Sequence, residues 1–401
     1  MTAPTHYFVN LLLVSVLLLP LYYSVKREAI RECLMIAFGL YMVFLIAPRF
    51  LLLWPPYWCM IWGFNRVLNA SLDERSERLV LWVFIGISLL PMVLWKIYTD
   101  FFIQGLNEWL HRGISNFSWG FEVADSTLDW VIPLGLSFST FRAVDLLICR
   151  YLDVLPSLSL RRVLHYGLFP PLLIVGPIAQ FSELDRNQDQ QVDLAGDIAY
   201  GLYRILSGLI KLFVFSALLA SSEQGVLEFR EHTPGYVWFS IFVYAWYFYL
   251  NFSGFSDLAI GTSRLYGFRL RENFSFPYLR PNLQKFWANW HMSLTGFAQR
   301  NVFVPLGGFR KKRVYGATFA TMMAIALWHD VSLSLIMFGV CHASVLMALR
   351  YMQIRLKWEE SKGMMAVLGT AATYAFVALT IPLIVLDFTE VVALYAHLVG
   401  R

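Results

Sequence analysis

Long apolar windows alternate with short polar stretches along this chain, and many of the windows can cross the roughly 30 Å hydrocarbon core of a bilayer. Backbone amides in lipid must be hydrogen-bonded within their own segment, so each crossing window predicts a helix. We therefore predict an all-α polytopic membrane protein with about ten or eleven spanning or half-spanning helices. The clearest windows are residues 7–23, 33–54, 79–98, 128–149, 163–178, 198–220, 236–259, 317–327, 333–349 and 364–386.

One helical stripe within residues 247–308 is small and polar. Ser253, Ser256, Asp257 and Gly261 fall at i, i+3, i+4 and i+8, which is one face of a helix. Small residues let a second helix approach closely, and Asp257 must then point into the protein or into a wet cavity, because a carboxylate in lipid is costly. The same stripe also fits a plain packing seam in which the aspartate is hydrogen-bonded.

A second stripe predicts a helix at the headgroup boundary or in the wall of a shallow cavity rather than a full crossing. Its apolar side carries Phe286, Trp290, Leu294 and Phe297, and its other side carries Trp287, His291 and Thr295. Both sides belong to one expected helix over residues 286–297.

Basic residues gather in short loops, which the positive-inside rule assigns to the cytoplasm. The groups are Lys26, Arg27 and Arg31, the FRKKR run at residues 309–313, and Arg350, Arg355 and Lys357. The N-terminus is then expected outside, and residues 314–349 must enter the membrane and return. At ~1.5 Å per residue this segment supplies roughly 54 Å, which is enough for two short legs but not for two comfortable spans. His329 is expected near the apex of this hairpin, buried within the membrane thickness.

The composition supports the membrane class and argues against several chemistries. Of the 401 residues, 58% are hydrophobic and 15% are charged, which is little charge for a soluble protein of this size. The net charge of +5 comes from loop lysines and arginines and does not indicate nucleic-acid binding. The four cysteines stand singly, so the sequence predicts neither a zinc site nor a disulfide framework. It contains no G-x-S-x-G elbow, Walker loop or dinucleotide-binding glycine fingerprint.

The histidines remain as candidates for chemistry. Of eight, His291, His329 and His342 lie in or beside hydrophobic windows. A neutral imidazole can take a proton from a hydroxyl and return it later, and one such base can suffice for acyl transfer from an activated thioester. For His329, preceded by Trp328 at the hairpin reversal, we favour function. For His342 we favour a core histidine that donates to a backbone carbonyl, and for His291 both interpretations stay open.

Eight short motifs follow one another between residues 131 and 343. They are VIPLGLSFSTFR at 131–142, FPPLLIVGPIAQFSEL at 169–184, GLYRILSGLIK at 201–211, NFSGFSDLAIG at 251–261, ENFSFPYL at 272–279, FWANWHMSL at 286–294, VFVPLGG at 302–308 and LWHDVSLSLIMFGVCHA at 327–343. In this order they resemble the bacterial membrane-bound O-acyltransferase family, in particular its alginate O-acetylation and D-alanyl-teichoic-acid transfer branch. The first hundred residues match only in their hydrophobic layout.

The resemblance implies a helical bundle around a tunnel for a cytoplasmic thioester and a funnel for an acceptor from outside. The near-invariant catalytic histidine of the family corresponds to His329, which would act as general base or proton relay, and the second family histidine corresponds to His291. We take the residues around these two, together with the polar stripe, as candidates for substrate contact. They are Trp328, Asp330, Asn289, Trp290, Asp257 and Ser253.

Four positions depart from the family pattern. Asp330 stands where a glycine usually follows the catalytic histidine, and Asn289 stands where an arginine commonly precedes the WH pair. Asn251 replaces a common aspartate, and Asn301 replaces a usual tyrosine. A carboxylate at position 330 could orient or charge the imidazole, but only in a bent turn, because adjacent helical residues diverge by about 100°.

Two branches of the family remain open. Asp257 and the LGG at residues 306–308 resemble the O-acetylation branch, towards which we lean, whereas the compact length and the run LRYMQIRLKW at residues 349–358 resemble the D-alanyl branch. The implied donor is acetyl-CoA or an acylated carrier protein, with no bound cofactor or metal. The implied acceptor is an envelope polysaccharide, reached directly or through an extracytoplasmic acyltransferase partner. The implied location of the protein is the inner (plasma) membrane.

We expect one integral-membrane domain over residues 1–401, with peripheral N-terminal helices over 1–125, a catalytic core over 126–350 and a C-terminal helical region over 351–401. A non-enzymatic function also stays open. Polar stripes and a broken helix such as FPPLLIVGPI also fit a transporter or a passive scaffold of an envelope synthase.

Overall fold

A computed structural model of the chain describes residues 3–46, 48–68, 73–97, 125–185, 193–357 and 362–400. All regular secondary structure within these ranges is helical. The α-helices are α1 (Ala3–Ser24), α2 (Glu28–Ile46), α3 (Trp54–Leu68), α4 (Glu74–Ile97), α5 (Asp125–Tyr151), α6 (Leu160–Gly167), α7 (Phe181–Leu184), α8 (Leu194–Ile210), α9 (Ala217–Leu219), α10 (Ser221–Leu227), α11 (Pro234–Leu265), α12 (Leu283–Trp287), α13 (Met292–Ala298), α14 (Val314–His329), α15 (Leu333–Arg355), α16 (Met364–Thr380), α17 (Pro382–Val385) and α18 (Phe388–Leu398). Short 3₁₀ turns cover Pro48–Leu52, Pro170–Leu172, Phe229–Glu231 and Pro277–Leu279, and π-helical turns cover Lys211–Ser216 and Gln299–Phe303.

Five helical segments in the described part of the chain are long and apolar enough to cross a membrane. They are Tyr7–Ser24, Glu74–Leu94, Leu194–Leu219, Leu333–Arg355 and Met364–Val385. The prediction of an all-α polytopic membrane protein is therefore confirmed. The number of ten or eleven spanning or half-spanning helices stays a prediction.

Several predicted windows differ from the helices that form. The window 163–178 contains only the end of α6 and the 3₁₀ turn Pro170–Leu172, because two consecutive prolines and Gly176, at a φ of 159°, interrupt a regular helix. The second leg of the predicted hairpin is longer than expected, since α15 continues past residue 349 to Arg355 and is a candidate span by itself. Helix α3 was not predicted, and α18 was expected only as part of the C-terminal helical region.

The chain divides into two compact units, one of Met1–Tyr203 with Leu258–Leu270 and one of Arg204–Asp257 with Arg271–Arg401. The predicted end of the N-terminal region, residues 98–124, lies outside the described residues, as does Trp358 of the run at 349–358. The prediction of a single integral-membrane domain stays a prediction.

In the first unit, a buried arginine joins α5 to the end of α6. The guanidinium of Arg142 donates from Nη1 to the carbonyl of Tyr166 (2.8 Å) and from Nη2 to that of Gly167 (3.2 Å). The last carbonyls of a helix find no N–H donor within that helix, and they carry partial negative charge. A cation is therefore stabilised beside them. The rings of Trp58 and Tyr166 lie 5.6 and 5.5 Å from its Cζ, which adds cation–π attraction.

In the second unit, α14 and α15 form a helical hairpin, and α12 packs against α15. Aromatic side chains from α11, α12 and the 3₁₀ turn Pro277–Leu279 stack beside this hairpin. The ring of Trp290 lies 5.5 Å from that of Phe286 and 6.0 Å from that of Phe248, both nearly parallel. The hydroxyl of Tyr278 donates to the carbonyl of Ala245 (2.9 Å), which ties the turn to α11. These contacts hold the wall of the cavity described next.

Candidate functional site

The second unit contains an aromatic-lined cavity that brings three histidines together. His291, His329 and His342 all line it. The other lining residues are Phe248, Phe252, Tyr278, Phe286, Trp287, Trp290, Leu294, Phe338, Val377, Ile381 and Ile384. Because the walls are apolar, the imidazoles are the main groups in it that can accept and donate protons near neutral pH. Among the described residues, no group of three or more histidine, cysteine, aspartate or glutamate side chains is arranged to hold a metal ion.

His329 is the last residue of α14, at the apex of the hairpin, where the sequence predicted it. Its side chain is exposed on the protein and lines the cavity, rather than being buried by neighbouring residues as a core histidine would be. Its ring lies 4.5 Å from that of Trp328, which is buried. A reagent entering the cavity can therefore reach this imidazole.

His291 occupies a break between two short helices. Helix α12 ends at Trp287, and α13 begins at Met292 with His291 as its N-cap, in the left-handed conformation (φ 42°, ψ 53°). The expected single helix over residues 286–297 is therefore wrong. The break turns residues from both predicted faces towards one cavity, since Phe286 and Trp290 line it together with Trp287 and His291.

The ring of His291 is enclosed by aromatic side chains and is 2% exposed. The ring of Phe252 meets it edge-on at 4.7 Å, and Trp328 meets it at 6.1 Å. His291 lies outside the five candidate spans, and burial, together with the nearby His329, lowers its pKa to about 3. The imidazole is consequently neutral at physiological pH.

His342 is fully buried, and hydrogen bonds engage both of its ring nitrogens. Trp287 Nε1, which can only donate, points at Nδ1 (3.2 Å), and Nε2 lies 2.9 Å from the hydroxyl of Thr380. Nδ1 must then be the acceptor, so the neutral ring carries its proton on Nε2 and donates it to Thr380. The hydroxyl of Thr380 in turn donates a hydrogen bond to the carbonyl of Val377 (2.9 Å). His342 is therefore buried in the core as expected, but its ring bonds the Thr380 hydroxyl and not a backbone carbonyl, which was the expected partner.

Asp257 belongs to a separate ion-pair cluster and does not line the cavity. Its carboxylate is buried, as expected from the polar stripe, and its two oxygens bind the guanidinium of Arg204 and the ammonium of Lys211, the latter at 2.7 Å. Arg204 also pairs with Glu272. Two positive and two negative side chains therefore balance one another. Ser253, one turn before Asp257, is buried in α11, also outside the cavity lining.

Of the other predicted contact residues, the two tryptophans lie at the cavity or beside His291, and the two polar residues hydrogen-bond to the backbone. Trp290 lines the cavity, and Trp328 covers His291 from one side. Asn289 is half-buried outside the lining and donates its amide to the carbonyl of Lys285 (2.8 Å) at the end of α12. Asp330 is exposed and caps the turn, with Oδ1 accepting from the backbone N–H of Val331 (2.8 Å). Its carboxylate thus bonds the backbone that follows it.

Sequence reasoning missed two groups that the structure brings to this site. One is the set of aromatic wall residues Phe248, Phe252 and Phe338 from α11 and α15, which come from distant windows that look like ordinary spans. The other is Asn273, a buried residue whose side-chain oxygen lies 3.0 Å from Nδ1 of His291. Asn273 lies within the ENFSFPYL motif quoted above, so the motif itself was the available signal.

Comparisons with known proteins point to one family. The model of the MBOAT, membrane-bound O-acyltransferase family, matches residues 150–386, which is more than half of the chain and includes the whole cavity lining. The probable alginate O-acetylase AlgI of Pseudomonas aeruginosa is 29% identical over 287 residues, covering 70% of this chain and 53% of that protein.

Two further relatives carry other names. The peptidoglycan O-acetyltransferase of Helicobacter pylori is 27% identical over 319 residues, covering 72% of this chain and 58% of that protein. The teichoic acid D-alanyltransferase of Streptococcus thermophilus is 27% identical over 366 residues, covering 84% of this chain and 80% of that protein. The chain spans about half the length of the alginate relatives that it matches.

Proposed function

Since the chain belongs to the membrane-bound O-acyltransferase family, we propose that it moves a small acyl group, with acetyl favoured, from a thioester to a hydroxyl of an envelope polysaccharide or of a partner enzyme. The observation that carries this proposal is the exposed imidazole of His329 in the wall of a largely apolar cavity. Such a cavity admits an acyl group while it limits the water that would hydrolyse a thioester.

The proposed reaction uses His329 as general base. Its neutral ring takes the proton of the acceptor hydroxyl as the oxygen attacks the thioester carbonyl. The carbon–sulfur bond then breaks, the imidazolium returns the proton to the departing thiolate, and an ester remains on the acceptor. His291 stands beside the base as a neutral partner, Trp290 forms part of the wall, and Trp328 packs against both imidazoles.

The donor and the acceptor are part of this proposal. We propose a cytoplasmic thioester, acetyl-CoA or an acylated carrier protein, and an acceptor on the other side of the inner (plasma) membrane, with one integral-membrane domain over residues 1–401. An extracytoplasmic acyltransferase would complete the transfer where the acceptor polysaccharide does not reach the cavity itself. Names of two relatives refer to O-acetyl transfer, to alginate in one and to peptidoglycan in the other.

D-alanyl transfer to teichoic acid or another envelope polymer is the second candidate. One observation favours it, because the D-alanyltransferase of Streptococcus thermophilus matches 84% of this chain and is itself covered to 80%. An acetyl ester and a D-alanyl ester differ in mass and in charge. Mass spectrometry of envelope polysaccharides with and without the gene therefore separates the two candidates.

The decisive variant is His329→Ala. General acid–base catalysis contributes roughly 10²–10⁴-fold, so acylation of the polymer should fall by at least about 100-fold. Membrane accumulation and thermal unfolding in detergent should stay near wild type, because the side chain is exposed and supports little packing. Ser344→Ala, an exposed position on α15, is the matched control. Full acylation in the His329→Ala strain would overturn the enzyme proposal in favour of a transporter or scaffold.

A further inference from the structure

The side chain of Asn273 determines which nitrogen of His291 carries the proton. Its Oδ1 lies 3.3 Å from the backbone nitrogen of Ser293 and 3.0 Å from Nδ1 of His291. A backbone N–H can only donate, so the atom facing it must be the amide oxygen and not the amide nitrogen. The opposite end of the same amide agrees, since Nδ2 donates to the hydroxyl of Ser256 (3.0 Å) on α11.

This orientation leaves one protonation state for the neutral ring of His291. Facing an oxygen that can only accept, Nδ1 must carry the hydrogen, and Nε2 then holds the lone pair. The hydroxyl of Ser293 donates to the same oxygen (2.8 Å), so its proton too is directed away from the ring. Asn273 is completely buried, and no competing solvent contact turns its amide over.

Asn273 also fixes the position of the ring. Its carbonyl accepts from the backbone N–H of Met292 (2.8 Å), and its side chain accepts from that of Ser293. These are the first two N–H groups of α13, which would otherwise lack partners, and the N-cap His291 does not bond them with its own side chain. One buried residue, 18 positions upstream, therefore caps α13 and holds the imidazole that precedes it.

We propose that Asn273 is a positioning residue of the acyl-transfer site: it keeps the proton of His291 on Nδ1, so that His291 serves the cavity through Nε2 as a hydrogen-bond acceptor. This inference rests on the proposed function. When His329 takes the proton of the acceptor hydroxyl, a neutral neighbour adds no like charge, and its lone pair favours the imidazolium electrostatically. The opposite tautomer would direct an N–H at the same positive charge and oppose the step.

The test compares Asn273→Asp with Asn273→Leu in the full chain, purified in detergent. The carboxylate of Asn273→Asp still accepts from Nδ1 and from the first N–H groups of α13, but it stabilises the charged imidazole of His291 and so raises its pKa. Activity that requires neutral His291 is then lost below the raised pKa and returns above it. The acidic limb of the kcat profile should move to higher pH, with kcat at the alkaline end within about threefold of wild type.

Asn273→Leu removes the acceptor altogether. Its kcat should fall at least about tenfold at every pH, with the donor KM within about twofold, because the base loses its oriented neighbour and not its substrate contacts. Asn282→Asp is the matched control. It places the same carboxylate at another buried asparagine of this unit, the N-cap of α12, whose side chain accepts from Lys285 N. The pH profile of kcat for Asn282→Asp should match that of wild type.

A second measurement separates this inference from the proposed function. Nitrogen-15 spectra of ring-labelled histidine, assigned with His291→Gln, report the tautomer of His291 whether or not the protein transfers acyl groups. We expect the Nδ1–H form in wild type. The Nε2–H form would overturn the inference, as would an Asn273→Asp variant with an unmoved acidic limb. If Asn273→Leu fails to accumulate, the Asn273→Asp profile and the spectrum still decide. An inactive wild type with the Nδ1–H form would count against the proposed function alone.

Discussion

The three-histidine cavity and the Asp257 cluster are both polar regions in the apolar second unit, and they differ in what their polar groups contact. In the cluster, each oxygen of Asp257 meets a cation, and Arg204 meets a further acid. In the cavity, the imidazole of His329 is exposed on the wall. Polarity in a membrane segment thus indicates a site only where the group faces a space that a substrate can enter. In a balanced ion-pair cluster the charges satisfy one another, and we expect such a cluster to serve the fold.

The variant Asp257→Ala gives the strongest test of the contrast between the cluster and the cavity. Removing one partner of a buried ion pair typically costs about 3–5 kcal/mol; here Lys211 and Arg204 both lose the carboxylate of Asp257, and Arg204 keeps its pairing with Glu272. We expect strongly reduced accumulation and a lower unfolding temperature in detergent. Protein that does accumulate should keep its kcat per folded molecule.

The control for this change is the double variant Asp257→Leu with Lys211→Met. It removes a positive and a negative charge together, so it should be less destabilising than Asp257→Ala. A well-folded Asp257→Ala protein without acyl transfer would contradict the structural role and return Asp257 to the candidate substrate contacts.

His342→Ala tests the histidine whose ring nitrogens both have bonds. The substitution leaves the buried Nε1–H of Trp287 without its acceptor and opens a cavity, which together should cost about 2–4 kcal/mol. Thermal unfolding in detergent measures the loss. Acyl transfer by the folded fraction should stay within about threefold of wild type, and a much larger fall in kcat would give His342 a part in the chemistry.

His291→Ala should reduce catalysis more than stability, which is the reverse of the effect expected for His342→Ala. The neutral imidazole lies beside the proposed base, so kcat should fall about tenfold or more, equivalent to about 1.4 kcal/mol. Membrane accumulation, measured by immunoblotting, should fall by a smaller factor. A variant that simply fails to accumulate, with normal activity per molecule, would show that the ring serves packing and would group His291 with His342.

Asp330→Asn should have the smallest effect. Its Oδ1 accepts from the backbone N–H of Val331, and an asparagine oxygen can accept the same hydrogen bond. We expect kcat within about twofold and an unchanged pH profile. An acidic limb moved to lower pH would instead mean that the carboxylate raises the pKa of the His329 imidazole, because removing a nearby negative charge lowers that pKa.

Much of the fold, and His329 as the principal candidate, could be predicted from the local sequence pattern. Apolar windows predicted the helical membrane class, and the basic clusters at residues 309–313 and near Arg350 predicted the hairpin with His329 at its apex. The small polar stripe predicted that Asp257 points into the protein or into a wet cavity, and its side chain is buried in the protein. Each of these follows from the cost of exposing polar groups to lipid, which acts on every residue according to its own chemistry.

The tertiary structure decided what these residues do for one another. Helical periodicity placed Phe286 and His291 on opposite faces, but the left-handed backbone at His291 turned both towards one cavity. Asn273 gave no signal by itself, since a lone asparagine in a loop becomes a positioning group only when folding brings it beside His291. Sequence determined which groups must avoid lipid; only packing determined which partner each one found, because that depends on contacts between residues far apart in the chain.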